Sequence, residues 1–228
     1  MPSGRLLPTD CRWKRHKRRT MKILALADVE EERLWSHWTP ERTKDVDLII
    51  SCGDLRASYL EFLVTMTNVP LLYVCGNHDE AYDEEPPGGG VCIENRIYTH
   101  NGVRILGLGG SMRYRRGPHM YSEPEMSARV RRLHTALRKT GGIDILVTHA
   151  PPKGYGDLED RAHSGFEAFN RLLMKHRPAC LLHGHVHMNY GRVAREIRHP
   201  SGTRIINAYG HCEIEIPPVN GAGTDKPL

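Results

Sequence analysis

Six short apolar runs, each closed by a glycine-containing turn or a polar residue, do most to limit what this chain can fold into. They span residues 22–27, 47–52, 71–75, 103–108, 143–148 and 179–183. Runs of this length, rich in Leu, Ile and Val and bounded by turn residues, read as buried strands. Between them, residues 58–67, 124–139 and 163–176 have helical apolar spacing. Strand, helix, strand repetition predicts an α/β fold with a largely parallel sheet and helices on its faces. Two places break the rhythm. Asn101-Gly102, between two alternating segments in residues 97–108, predicts a tight hairpin. Residues 192–198, 204–208 and 213–216, with a turn at Pro200-Ser201-Gly202, read as a meander, so a second sheet is implied. Residues 80–90, with Glu84, Glu85, Pro86, Pro87 and three glycines, read as a mobile loop without regular structure. The reading divides the chain into a basic leader (1–20), one folded domain (21–216) and a Gly- and Pro-rich disordered tail (217–228).

The formal charge of +5 belongs to the leader: residues 1–20 carry seven Lys and Arg against one Asp, so the remainder sums to −1. A near-neutral body offers no cationic field for a long polyanion, which argues against nucleic acid as the partner. The leader lacks the apolar segment of a secretory signal. It reads as a solvated arm, as sequence upstream of a start at Met21, or as a tail that docks on polyanions. No apolar run approaches the roughly 18 to 20 residues of a membrane span. The six cysteines are scattered without a C-x-x-C pair, as in reduced cytoplasmic proteins, and Cys52 and Cys75 read as buried strand residues.

The polar residues that follow the predicted strands form a series: Asp28 and Glu30, Asp54, Asn77-His78-Asp79, His149, then His185 and His187. In open α/β sheets that edge is where ligands bind. Asp28 and Glu30 lie two apart on extended chain and point the same way, as do His185 and His187. Carboxylates, imidazoles and a carboxamide without a thiolate suit Mn2+, Fe2+, Zn2+ or Mg2+. Each residue alone has a plainer reading, as a helix cap or a satisfied surface group. Their common placement at strand ends is what points to a metal site.

Gly53-Asp54, Gly76-Asn77-His78-Asp79, Thr148-His149-Ala150-Pro151-Pro152 and Gly184-His185-Val186-His187 resemble the motifs of the calcineurin-like metallophosphoesterase superfamily. The resemblance implies a four-layer α/β/β/α sandwich and a dinuclear metal site with a bridging hydroxide. It implies that Asp54 bridges two ions, that Asp28, the residue at 30 and His187 complete one site, and that Asn77, His149 and His185 complete the other. His78 would act on the phosphate as general acid or transition-state stabiliser, oriented by Asp79. The implied reaction is hydrolysis of a small, nucleotide-like phosphodiester or phosphomonoester, with a diesterase ahead of a phosphatase and Mn2+ or Fe2+ ahead of Zn2+ or Mg2+. The alternative is a non-catalytic scaffold on the same fold.

One residue departs from the pattern. The first motif is usually Asp-x-His, and here it is Asp28-Val29-Glu30. Glu30 replaces the imidazole as a ligand, leaves that ion weakly held, or marks a degenerate site. Asp28, Glu30 and Asp54 together bring three negative charges, which would disfavour a dianionic monoester relative to a diester. Arg56 reads either as a compensating cation at the phosphate or as a solvated residue opening a helix. The loops at 113–121 and 153–163, rich in Arg, Tyr and His, are the expected substrate contacts.

Overall fold

The structure, a computed structural model, describes residues 20–191 and 193–217. The expectations for the leader and tail fall on residues 1–19 and 218–228, outside the described residues.

Strand β1 (Met21–Ala27) shows how the sequence builds the layers. Ile23, Ala25 and Ala27 point to one face and Leu24 and Leu26 to the other, and all five are buried. A strand apolar on both faces must be covered on both. The first sheet has the order β13 (Gly210–Ile216), β1, β2 (Leu48–Ser51), β3 (Leu71–Tyr73), β4 (Gly90–Cys92), with only β13 antiparallel to its neighbour. The second has the order β11 (Glu196–Arg198), β12 (Arg204–Asn207), β10 (Cys180–His183), β9 (Ile145–Thr148), β6 (Val103–Leu108), β5 (Ile97–His100). A two-residue ladder joins β7 (Ser111–Met112) to β8 (Met120–Tyr121).

Three apolar clusters hold the layers together. Ile23, Ala25, Ile50, Leu72 and Val74 of the first sheet meet Ile105, Ile145, Val147, Leu182 and Ile206 of the second. Leu24, Leu26, Ile49 and Leu71 pack outward against Tyr59, Leu60 and Leu63 of α1 (Ala57–Thr67). Leu106, Leu146 and Leu181 pack on α2 (Glu123–Arg132), α3 (His134–Lys139) and α4 (Glu167–His176), through Met126, Leu137, Phe169 and Leu172. The order is helix, sheet, sheet, helices: the α/β/β/α sandwich.

Four local expectations need correction. The helix expected over 124–139 is two helices, because at Leu133 the chain tightens to a bond with Val130 and starts again. The helix expected from 163 begins at Glu167. Before it, the amides of His163 and Gly165 bond to Asp160 and Asp157, and Phe166 pairs with the Pro151–Pro152 segment. Residues 80–90 are not structureless: Glu80–Asp83 form a 3-10 turn anchored by the buried Tyr82, whose hydroxyl donates to the Leu55 carbonyl, and Gly90 opens β4. The C-terminal strands do not form one meander, since β11 and β12 extend the second sheet and β13 crosses to pair with β1. The hairpin is as expected, with φ of +49° and +83° at Asn101 and Gly102, as a primed turn requires. No helix among the described residues is long and apolar enough to cross a membrane, and the five described cysteines are free.

Candidate metal centre

Strand ends of both sheets meet over one cleft. Past β1, β2 and β10 the backbone turns through the left-handed region at Asp28, Asp54 and His185, with φ of +64°, +57° and +67°. Non-glycine residues adopt that conformation uncommonly, Asp and His more readily than most, and three at one cleft are worth explaining. Here the fixing bonds are visible. The His185 amide donates to both Asp28 oxygens at 3.1 and 2.9 Å, the amides of Asp54 and Gly76 donate to Asp79 Oδ2 at 2.8 and 2.7 Å, and the His78 amide donates to Asp54 Oδ1 at 2.8 Å. The Asp28 amide donates to the Gly53 carbonyl at 3.2 Å and joins these two pairs, so four loops far apart in sequence are locked together.

Gly76 is required by that close approach. A Cβ there would lie 2.0 Å from Asp54 Oδ1. Gly76→Ala is expected to push Asp54 from its place and destabilise the fold by about 1 to 3 kcal/mol. Calorimetry of Mn2+ uptake together with Tm checks this; unaltered metal affinity would contradict it.

Ligand atoms of Asp28, Asp54 and His149 lie within 4.8 Å of one another. His149 is fully buried, with Nδ1 2.8 Å from the Cys52 carbonyl and Nε2 3.3 Å from Asp54 and 3.2 Å from the Asn77 carboxamide oxygen. Burial pushes the Asp28 carboxyl up to about 7, with His149 opposing and Asp54 adding to the rise. Burial also works against ionisation of Asp54, but His149 and the His78 amide outweigh it and hold Asp54 below the usual range. Burial opposes the His149 proton, yet Asp54 and Asp28 raise that ring to about 10. The same two carboxylates that hold this proton attract a divalent cation, and two carboxylates with an imidazole suit Mn2+, Fe2+, Zn2+ or Mg2+. The residues therefore fit a metal ion.

The other expected ligands stand around that cluster, with the Asn77 oxygen against His149 Nε2. The His185 Nε2 faces the Ala162 carbonyl at 2.7 Å, and burial lowers the ring to about 3. The His187 Nε2 lies 4.0 Å from Asp28 Oδ1. Asn77 is buried beside His149, while His78 is exposed. Asp79 bonds to backbone amides and not to the His78 ring, so it braces the loops. Glu30 turns from the cluster to Arg56, whose Nε donates to Oε1 at 2.6 Å and whose terminal nitrogen donates to Oε2. That ion pair neutralises Glu30 and removes the charge argument for diesters.

Of the two loops expected to touch substrate, each contributes a ring. Tyr114 and His163 line a cleft of about 410 Å3 with Asp28, Asp54, Asn77, His78, His185, His187 and Tyr190. Arg113, in contrast, is engaged by Glu125 and the Met120 carbonyl. Tyr190 escaped the sequence reading although it follows His187 by three residues; its ring stacks on His187 at 4.7 Å and 15°. Nothing in the sequence marked Glu94, whose Oε1 accepts the amides of Cys75 and Gly109 at 3.0 Å and so fixes the chain before Asn77.

A sandwich that brings carboxylates and imidazoles from both sheets to one edge has the architecture that the sequence motifs imply. The chain belongs to the calcineurin-like phosphoesterase superfamily, whose domain it matches over residues 21–212. Among curated proteins it is similar to a protein named probable rhamnogalacturonate lyase C from Emericella nidulans, 27% identical over 177 residues, which make 69% of this chain and 17% of that one. A UPF0046 protein of Caenorhabditis elegans is 25% identical over 215 residues, 82% of this chain and 69% of its own. The chain thus spans less than a fifth of the first relative. One solved structure shares the fold with a TM-score of 0.64 at 14% identity, covering 86% of this chain and 95% of that one. The 5'-nucleotidase of Candida albicans SC5314 gives 0.49 at 12% identity, over 82% of this chain and 45% of its own, too distant to bear on activity.

Proposed function

We propose that the protein hydrolyses small, nucleotide-like phosphodiesters at a dinuclear divalent-metal site, with Mn2+ or Fe2+ as the preferred ions. Asp28, Asp54, Asn77, His149, His185 and His187 would hold the ions, with Glu30 available to the second. The observation that carries the diester reading is that the centre opens on two sides. Asp28, Asp54 and His78 line both the 410 Å3 cleft with Tyr114, His163 and Tyr190 and a second cleft of about 580 Å3 with Glu30, Arg56 and Tyr82. A diester carries two organic groups on its phosphorus, and each cleft offers room for one.

Bound divalent ions would neutralise the phosphate oxygens and lower the pKa of an attacking water. The protein's own part is to place and protonate. The His78 amide is tied to Asp54 Oδ1, so its ring is carried at the edge of the cluster, facing both clefts. From there it can give a proton to the leaving oxygen. The stacked His187 and Tyr190 rings present a flat wall suited to a planar substituent.

Two comparisons test the reading. The kcat/KM for a diester such as bis-p-nitrophenyl phosphate should exceed that for p-nitrophenyl phosphate, and parity or the reverse would sink the diester assignment. His78→Ala should lower kcat by about 10²-fold or more for a phenyl ester, whose leaving oxygen needs the proton, and by less for the p-nitrophenyl ester. An equal loss with both would remove the proton-donor role.

A further inference from the structure

Glu30 stands at the rim of the larger cleft with Asp28 and Asp54, yet its carboxylate already has a cation. Three N–H groups of Arg56 converge on it: Nε and the backbone amide on Oε1, at 2.6 and 3.3 Å, and the terminal nitrogen on Oε2. A carboxylate offers about four lone-pair directions, so a single residue occupies most of this one. The two partners differ in freedom: the Arg56 side chain is 72% exposed and that of Glu30 19%. If the pair opens, the exposed guanidinium is the partner free to move and the more enclosed carboxylate stays. Charge points the same way. Asp28, Glu30 and Asp54 carry three negative charges, which one divalent ion and Arg56 balance; a second ion has no such demand to meet until the guanidinium withdraws.

We propose that Arg56 is a resident competitor for Glu30, so that a second divalent ion enters only by displacing the guanidinium, which then serves the substrate phosphate in the same cleft. This rests on the metal-dependent reading above. It makes the Glu30 site the weaker of two, and makes Arg56 the residue that sets how weak.

The test is calorimetric titration of metal-stripped protein with Mn2+, with electron paramagnetic resonance reporting whether two ions sit as a coupled pair. Wild type should show one tight and one weaker step. Arg56→Gln, which keeps the bulk and removes the charge, should tighten the second step about tenfold, the scale of a charge-assisted bidentate pair at a solvent-facing position. Glu30→Gln should abolish that step and its coupled signal while the first step persists. An Arg56→Gln protein whose second step is unchanged or weaker overturns the competition, as does a second step that survives in Glu30→Gln or a single ion in every variant. If any of these occurs while wild type still turns over a diester with Mn2+, the competition alone fails. Wild type that takes up no Mn2+ fails the metal-dependent reading and the competition with it.

Discussion

Asp54→Asn will cut metal-dependent turnover by about 10³-fold or more, the upper range for removing one charge-stabilising group from a catalytic centre. Asp54 is the junction of the site. Its Oδ1 accepts the His78 amide, its Oδ2 faces His149 Nε2, and its own amide is held by Asp79. An asparagine fills the same space, so the loss reports charge and not shape. It also sets a dilemma at the His78 amide: turned one way the new NH2 group meets a donor, turned the other it meets the His149 ring. Metal content by elemental analysis should fall with kcat, because Asp28 and His149 are left as the pair nearest the ion. Turnover and metal content within tenfold of wild type would remove Asp54 from the centre.

Arg129→Met will destabilise the fold by about 3 kcal/mol, the low end of the cost of breaking a buried ion pair, because Glu94 is 19% exposed and keeps two amide donors. Arg129 reaches from α2 and is 7% exposed. Its guanidinium bonds Glu94 Oε2 at 2.5 Å, the Gly109 carbonyl at 2.7 Å and Asn95 at 2.8 Å, and lies over the Tyr121 ring at 4.2 Å. At roughly 2 to 4 °C per kcal/mol for a domain of this size, Tm should fall by about 10 °C. The damage should also reach the site, since Glu94 holds the amides of Cys75 and Gly109 while it is itself held by Arg129. A double change of Glu94 and Arg129 to apolar residues should recover neither Tm nor activity, because the amides of Cys75 and Gly109 then lose their acceptor. A Tm drop under about 3 °C for Arg129→Met would show that Glu94 tolerates standing alone.

The strand and ligand pattern was legible because both follow from local rules. Ile23 and Leu24 announce a strand covered on both faces, and Asp28, Asp54, His149 and His185 each follow a strand within three residues, so the parallel strands of the two sheets deliver them to one edge. What the sequence hid depends on distant partners. The break at Leu133 lies within an unbroken helical pattern, at a residue buried among side chains of the second sheet and α4. The late start of α4 comes from Phe166 pairing with Pro152, and β4 exists only because β3 offers an edge for Gly90 to join. Glu30 is the most telling case. Its spacing from Asp28 says that the two carboxylates share a side, but only the fold shows Arg56, 26 residues on, closing over it.

The proposed hydrolysis depends on divalent metal, and stripping and restoring the ion is the decisive experiment. Chelator-treated protein should lose hydrolysis of bis-p-nitrophenyl phosphate and regain it with Mn2+, while Asp54→Asn stays silent under both conditions. No turnover with Mn2+, Fe2+, Zn2+ or Mg2+, together with failure to retain any of them, would contradict the account and leave a scaffold on a phosphoesterase fold.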